Sequence, residues 1–136
     1  MSIAIRYYTK SGNTEKLAKA IEEVVGVPAE TVEKSLTEKV DVLLLGCSYY
    51  AFDMDPEVKK FIEDNKDKIS KIVLFGTSAM IKSMKKPLIK VLKDLGMDIE
   101  IADDEFHCPG SFGPMHKGRP NADDIANVKD FAKKYV

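Results

Sequence analysis

The 136-residue sequence has few cysteines, no long apolar segment and almost no net charge, and each of these shortages excludes a class of protein. Cys47 and Cys108 are its only cysteines, too few for a disulfide framework, and we expect both to be free thiols. No apolar run approaches the roughly 20 residues of a membrane span, and the N-terminus lacks a signal-peptide pattern. The net charge of −1 gives no basis for binding nucleic acid or an anionic membrane. We therefore expect a cytoplasmic protein that binds neither nucleic acid nor membranes.

The sequence also contains no internal repeat, no low-complexity tract and no linker. With 136 residues, of which 44% are hydrophobic and 32% charged, the chain is long enough to bury a core without disulfides. We therefore expect one domain that spans residues 1–136.

Apolar runs alternate with amphipathic helical patterns along the whole chain. Strands are predicted, in order, at Ile3–Tyr8, Val27–Val32, Val40–Cys47, Lys71–Thr77 and Met97–Ala102. Helices are predicted at Glu15–Val25, after Asp55-Pro56-Glu57, from Leu88 to Leu95 before Gly96, and from Ile125 to Tyr135 after Asn121. This alternation predicts an α/β fold in three layers, with a parallel sheet between helices on both faces.

The order of the strands follows from which of them are most apolar. Val42–Leu45 and Ile72–Phe75 are continuously apolar, as central parallel strands are. The second run carries Pro28 and the fifth alternates apolar with polar residues, which indicates two edge strands. These features fit a five-stranded sheet of order 2-1-3-4-5, in which a ligand binds where strands one and three end. Arg6 interrupts the first strand and implies an acidic partner for its charge.

The most informative segment is the turn between the first strand and the first helix, Thr9-Lys10-Ser11-Gly12-Asn13-Thr14. Its backbone N–H groups and the positive end of the helix converge on one point, which suits a phosphate group. Residues of these types also begin ordinary helices, but five cap-forming or glycine positions of six exceed what one cap requires. Other motifs are excluded: a Walker loop needs lysine where Asn13 stands, a dinucleotide fingerprint needs three glycines, and a receiver site needs carboxylates at Tyr8-Thr9.

Two further loops are expected on the same rim of the sheet. Ser48, Tyr49, Tyr50, Ala51 and Phe52 follow the third strand, and their aromatic side chains suit stacking on a flat conjugated ring, or closing the core beneath the loop. The loop after the fourth strand contains Gly76, Thr77, Ser78 and Ala79, whose hydroxyl and amide groups suit hydrogen bonds to a ring edge.

The segment Phe106–Pro120 is rich in glycine and proline and is expected to form a long loop, and loops of this length are typically functional or mobile. It contains Cys108, His107 and His116, but their spacing matches no common zinc pattern, and we expect no metal site. A catalytic cysteine is not expected either, because no positive helix end or fixed histidine is evident to lower a thiol pKa.

Taken with the strand Ile3–Tyr8 before it, the turn Thr9–Thr14 resembles the phosphate loop of flavodoxins and flavodoxin-like proteins. The resemblance continues through Leu45-Gly46-Cys47-Ser48-Tyr49-Tyr50, which is similar to the loop beside the flavin ring, and it covers Asp55–Ile62 and Gly76–Ala79. It implies a flavodoxin-like fold with non-covalently bound flavin mononucleotide (FMN). The phosphate would lie in Ser11–Thr14 with Thr9 and near Lys10, and the isoalloxazine between Tyr49–Phe52 and Gly76–Ala79.

The resemblance also implies a function, which is to carry electrons between redox protein partners, a reductase and an acceptor, with no catalytic residue of the chain's own. We expect a monomer or a weak dimer. The alternatives left open are a flavin-dependent NAD(P)H reductase of a quinone or another small acceptor, a binding module that has lost the cofactor, and, as a narrower variant, an activator of ribonucleotide reductase.

Two features depart from the family pattern. Phe52 stands where the family often has a glycine whose peptide turns over toward the reduced flavin, and a bulky residue resists the positive φ this requires. We therefore expect weaker stabilisation of the one-electron-reduced flavin. The net charge of −1 is also unlike the strongly acidic carriers, which are steered to basic partners by charge. Phe112 or Met115, in the segment Phe106–Pro120, is expected to pack near the ring.

Overall fold

The computed structural model describes residues 1–10, 12–48, 54–78, 83–110 and 118–136, and its centre is a five-stranded parallel sheet. The strands are β1 (Ile3–Tyr7), β2 (Ala29–Thr31), β3 (Val42–Ser48), β4 (Lys71–Ser78) and β5 (Glu100–Pro109). They lie in the order β2-β1-β3-β4-β5, and all neighbours are parallel. The predicted order is confirmed, and the direction of the connections reverses between β1 and β3.

In the described ranges, four α-helices connect or follow the strands: α1 (Asn13–Val25), α2 (Pro56–Asp64), α3 (Lys85–Asp94) and α4 (Ala122–Ala132). Pro56 occupies the first turn of α2 after Asp55, as the sequence predicts. At the start of α4, Asn121 and Asp124 form a reciprocal capping box. None of the helices in the described ranges is both long enough and apolar enough to cross a bilayer.

The sheet is covered on both faces, which confirms the three-layer prediction. Leu43 and Leu45 point to one face, where α2 and α3 contribute Val58 and Leu88 to the core. Leu44 points to the other face, where α1 and α4 contribute their own apolar side chains, among them Leu17, Ile21 and Val128. A strand buried on both faces has no reason to alternate apolar with polar residues, and β3 does not.

Arg6 in β1 has the acidic partner that the sequence implies. Its guanidinium lies 3.4 Å from the carboxylate of Glu30, which is its neighbour in β2. Its Nε donates to the carbonyl oxygen of Lys34 at 2.9 Å, and its Nη1 donates to that of Ile5 at 2.9 Å. Burial lowers the pKa of Arg6 while Glu30 opposes that effect. The edge strand β2 therefore satisfies a charge that would be costly in the centre of the sheet.

The prediction for the fifth strand is wrong in its position. β5 runs over Glu100–Pro109 rather than Met97–Ala102, so the start of the predicted loop Phe106–Pro120 is strand. The pairing between β4 and β5 shifts between Ile72 and Leu74, as at a β-bulge, and the exposed acids Asp103 and Asp104 lie at that irregularity. These acids interrupt the apolar pattern, so the second half of the strand cannot be recognised from the sequence. Residues 111–117 of the predicted loop lie outside the described part.

Candidate functional site

The turn after β1 has the backbone geometry of an anion site. Gly12 lies at the N-cap of α1 with φ 87° and ψ −3°, in the left-handed region. Its N–H donates to Oγ1 of Thr9 at 2.9 Å, and this hydrogen bond within the turn stabilises its conformation. A Cβ on Gly12 would meet no atom within 4 Å. Conformation rather than space therefore requires glycine here.

This turn delivers the positive end of a 13-residue helix to the carboxyl edge of the sheet. Glycine at the N-cap has no side-chain oxygen to accept from the first-turn N–H groups, a role that serine or aspartate takes in ordinary helices. An anion can take that role instead. The neutral donors of the turn fit a phosphate group, and therefore fit the phosphate end of FMN.

Thr14 and Thr77, which the sequence assigns to different loops, lie together in the structure. Thr14 is fully buried and Thr77 is 3% exposed. The hydroxyl oxygen of Thr14 lies 3.2 Å from that of Thr77 and 3.4 Å from the carbonyl oxygen of Cys47. These contacts join the first turn of α1 to the ends of β3 and β4, on the inner side of the predicted phosphate loop.

Lys10 extends from the turn toward the start of α2. Its ammonium lies 3.8 Å from Oδ1 of Asp55, and its side chain is 60% exposed. Burial raises the pKa of Asp55, while Lys10 lowers it and Glu57 raises it. Lys10 thus adds positive charge at the edge of the turn, shared with a carboxylate that borders the loop after β3.

The residues predicted for the two ring-side loops begin at neighbouring strand ends, and part of the loop prediction is wrong: Ser48 is the last residue of β3, and Gly76, Thr77 and Ser78 are the last residues of β4. In the β3–β4 pairing, Cys47 lies opposite Gly76 and Ser48 opposite Thr77. Ser78, the last residue of β4, lies opposite Pro109 of β5. His116, Phe112 and Met115 lie outside the described part of the chain. So do the remaining predicted site residues, which are Ser11, Tyr49, Tyr50, Ala51, Phe52 and Ala79.

Sequence reasoning missed Gly110, which follows β5 directly and is buried. A Cβ on Gly110 would lie 3.0 Å from Nδ2 of Asn13 and 3.0 Å from Cβ of Thr77. The end of β5 therefore packs against the phosphate loop. A glycine directly after the carboxyl end of a strand could have indicated this contact. The predicted fifth strand ended at Ala102, however, so Gly110 was not recognised as following a strand.

The loop after β4 is anchored where it reaches α3. Glu105 of β5 accepts a hydrogen bond from the Ser83 hydroxyl at 2.6 Å and another from the Met84 N–H at 2.9 Å. A carboxylate at the start of a helix is favoured by the helix dipole. Glu105, in the middle of β5, thus fixes Ser83 and Met84 at the start of α3.

Neither cysteine has the properties of a nucleophile. Both are free and buried. Burial, with the carboxylates of Asp55 and Glu105, raises the pKa of Cys47 far above its ordinary value. Burial also raises the pKa of Cys108 to about 12. Both thiols are therefore protonated at neutral pH. Within the described ranges, no three His, Cys, Asp or Glu side chains are grouped as metal ligands would be.

A match to a known family accounts for this arrangement of strands and turns. Residues 4–105 match the family model described as a flavodoxin domain. The chain belongs to the flavodoxin family. The matched segment contains the predicted phosphate turn and both predicted ring-side loops, whereas Gly110 and α4 lie beyond it.

One sequence relative covers most of this flavodoxin-family chain, and solved structures share its fold. It is 31% identical over 135 residues to an uncharacterised protein of Methanocaldococcus jannaschii, covering 91% of this chain and 90% of that one. A flavodoxin from the domain Archaea superposes with a TM-score of 0.74 at 16% identity, over 99% of this chain and 96% of that one. A flavoprotein in complex with FMN from Lactobacillus acidophilus superposes with a TM-score of 0.56 at 13% identity, over 78% and 91%. At such low identity the two structural likenesses show the fold alone.

Proposed function

We propose that this chain binds FMN non-covalently at the carboxyl edge of its sheet and carries electrons between a reductase and an acceptor protein. The observation that carries the proposal is the left-handed Gly12 at the N-cap of α1, with its N–H held by Thr9. In a chain of the flavodoxin family, such a turn supports the binding of the cofactor's phosphate at this place.

The phosphate is assigned to the turn from Thr9 to Thr14. Main-chain N–H groups at the start of α1 and the Thr9 and Ser11 hydroxyls supply neutral donors, and the helix end supplies a partial positive charge of about half a unit. Lys10 adds a full charge at the exposed side of the turn. This donor set suits a terminal phosphate monoester, which distinguishes FMN from riboflavin.

The ring is assigned to the loops that leave β3 and β4 side by side. The residues proposed to flank it are Ser48 at the end of β3 with Tyr49, Tyr50, Ala51 and Phe52 after it, and Gly76, Thr77 and Ser78 at the end of β4 with Ala79 after it. When bound, FMN supplies the one- and two-electron chemistry. The chain's residues hold the ring, limit its contact with water and set the charge around it. Asp55, half-buried beside the first of these loops, contributes a negative charge to that environment.

The first prediction concerns the cofactor itself. Purified protein is expected to be yellow, and denaturation is expected to release FMN, identified by chromatography against FAD and riboflavin standards. The turn accounts for the phosphate, and the two loops account for the ring. A colourless preparation that FMN cannot reconstitute would contradict the proposal and favour a binding module without cofactor.

The second prediction separates a carrier from a free-standing reductase. NADH or NADPH alone is expected to leave the absorbance of the bound flavin unchanged over minutes, whereas dithionite bleaches it fully. With NADPH present, adding a catalytic amount of an NADPH-dependent flavoprotein reductase is expected to cause bleaching, because a carrier accepts electrons from a protein. Rapid bleaching by nicotinamide alone would instead support a flavin-dependent NAD(P)H reductase.

A further inference from the structure

The inner side of the phosphate turn is attached to three strands of the sheet. The Thr14 hydroxyl contacts the carbonyl oxygen of Cys47 at the end of β3 and the Thr77 hydroxyl at the end of β4. Gly110, after β5, packs against both Asn13 and Thr77. Asn13 and Thr14 are the first two residues of α1, and both are buried. The first turn of this helix is therefore fixed from below by residues that the sequence places far apart.

We propose that Thr77 and Gly110 are positioning residues for the phosphate turn. They act through Asn13 and Thr14: the Thr77 hydroxyl faces Thr14, so that only the main chain of Thr77 is assigned to the ring. Together they fix the first turn of α1 so that its N–H groups converge on one phosphate. The inference rests on the proposed function, because it concerns how this chain would hold the phosphate of FMN.

The physical reason is pre-organisation. A binding site of several weak donors is effective only when each is held within about half an ångström of its place before the ligand arrives. The first turn of a helix is also where a helix frays. A buried hydroxyl that bridges Cys47 and Thr77 resists that fraying at Thr14, in a site where neutral N–H groups supply most of the binding.

Gly110 contributes through close approach. The contacts of its added Cβ, 3.0 Å to Asn13 Nδ2 and 3.0 Å to Thr77 Cβ, are tighter than ordinary van der Waals contact. A methyl group there would push Asn13 or the end of β5 by a few tenths of an ångström. Gly110 lies beyond the segment that matches the family model, so the evidence for this contact comes from the structure of this chain and not from the family match.

The test compares two ligands that share a ring and differ in the phosphate. Dissociation constants of FMN and riboflavin are measured by flavin fluorescence quenching for the wild-type apoprotein, Thr77→Val and Gly110→Ala. Thr77→Ser keeps the hydroxyl and is the control for Thr77→Val. Ala102→Val adds volume to the buried part of β5 away from the turn and is the control for Gly110→Ala. Circular dichroism and the thermal midpoint of each apoprotein report folding.

Both positioning variants are expected to weaken FMN about tenfold, the equivalent of the net free energy of about one hydrogen bond. Riboflavin affinity is expected to stay within about twofold, roughly a third of that free energy, because riboflavin has no phosphate for the turn to hold. Thr77→Ser and Ala102→Val are expected to keep the wild-type preference for FMN over riboflavin. The two variants disturb different contacts, so that Gly110→Ala carries the test if Thr77→Val does not fold.

Two outcomes would overturn the inference while leaving the proposed function in place. One is equal weakening of FMN and riboflavin, which shows a general structural role. The other is unchanged FMN affinity in both variants although the wild type binds FMN tightly. A wild-type protein that binds neither flavin would contradict the proposed function itself, and this inference with it.

Discussion

Replacing Gly46 with alanine is expected to destabilise the apoprotein by about 2–3 kcal/mol, because the added methyl group has no room. Gly46 lies in β3 opposite Tyr7 of β1 and Phe75 of β4. A Cβ there would lie 2.5 Å from Cζ of Phe75 and 2.9 Å from Cβ of Tyr7. Phe75 is fully buried, so its ring cannot move aside without disturbing the core that α1 and α4 cover.

Urea unfolding of the apoprotein measures this effect free of any stabilisation by bound flavin. A double-mutant cycle with Phe75→Leu identifies the cause. If the ring of Phe75 is the obstacle, Gly46→Ala costs clearly less in the Phe75→Leu background than in the wild type. Equal costs in both backgrounds would show that the clash with Phe75 is not the source, and a cost below about 0.5 kcal/mol would contradict the geometry altogether.

The central part of the fold was predictable because local sequence signals agree with one another there. The continuously apolar segments Val42–Leu45 and Ile72–Phe75, the proline before β2 and the regular helix spacing lead to the order 2-1-3-4-5. The phosphate turn is equally local, since Thr9 and Gly12 bond within one turn. Even the acidic partner of Arg6 follows from the cost of burying a charge, although its identity as Glu30 does not.

What the sequence did not reveal depends on contacts between distant segments. The second half of β5 is hidden because its exposed acids break the apolar pattern at a register shift. Because that strand was misplaced in the sequence analysis, the packing of Gly110 on Asn13 could not be predicted. The direction of the Thr77 hydroxyl could not be predicted either. The residue type suggested a ring contact, but only the packed structure shows that the hydroxyl lies 3.2 Å from that of Thr14.

The start of α4 depends on one buried carboxylate, that of Asp124. The Arg119 side chain donates to it twice, from Nε at 2.6 Å and from Nη2 at 2.7 Å. The N–H of Asn121 donates to it at 2.8 Å, and the Asp124 N–H donates in return to the Asn121 side chain at 3.0 Å. Asp124 thus joins the segment that follows residues 111–117 to the first turn of α4.

Replacing Asp124 with alanine is therefore expected to cost about 2–3 kcal/mol, since hydrogen bonds to a charged group contribute about 1.5–3 kcal/mol each and are not additive. Asp123→Ala is the matched control, because it removes the same charge from the same helix turn at an exposed position. It is expected to cost no more than about 0.5 kcal/mol. Equal effects of the two substitutions would show that helix-dipole charge, rather than the contacts of Asp124, stabilises this end of α4.

The pH dependence gives an independent check of the same contacts. The hydrogen bonds from Arg119, with that from Asn121, hold the pKa of Asp124 below its ordinary value of 3.8. A carboxyl group whose pKa is lower in the folded state stabilises the fold above its unfolded pKa, and that stabilisation is lost as the pH falls through the folded value. The difference in unfolding free energy between wild type and Asp124→Ala should therefore be constant from pH 7 to about pH 5 and shrink below about pH 4. A difference that stays constant down to pH 2 would mean that the carboxylate charge contributes nothing, and that the alanine variant loses only packing.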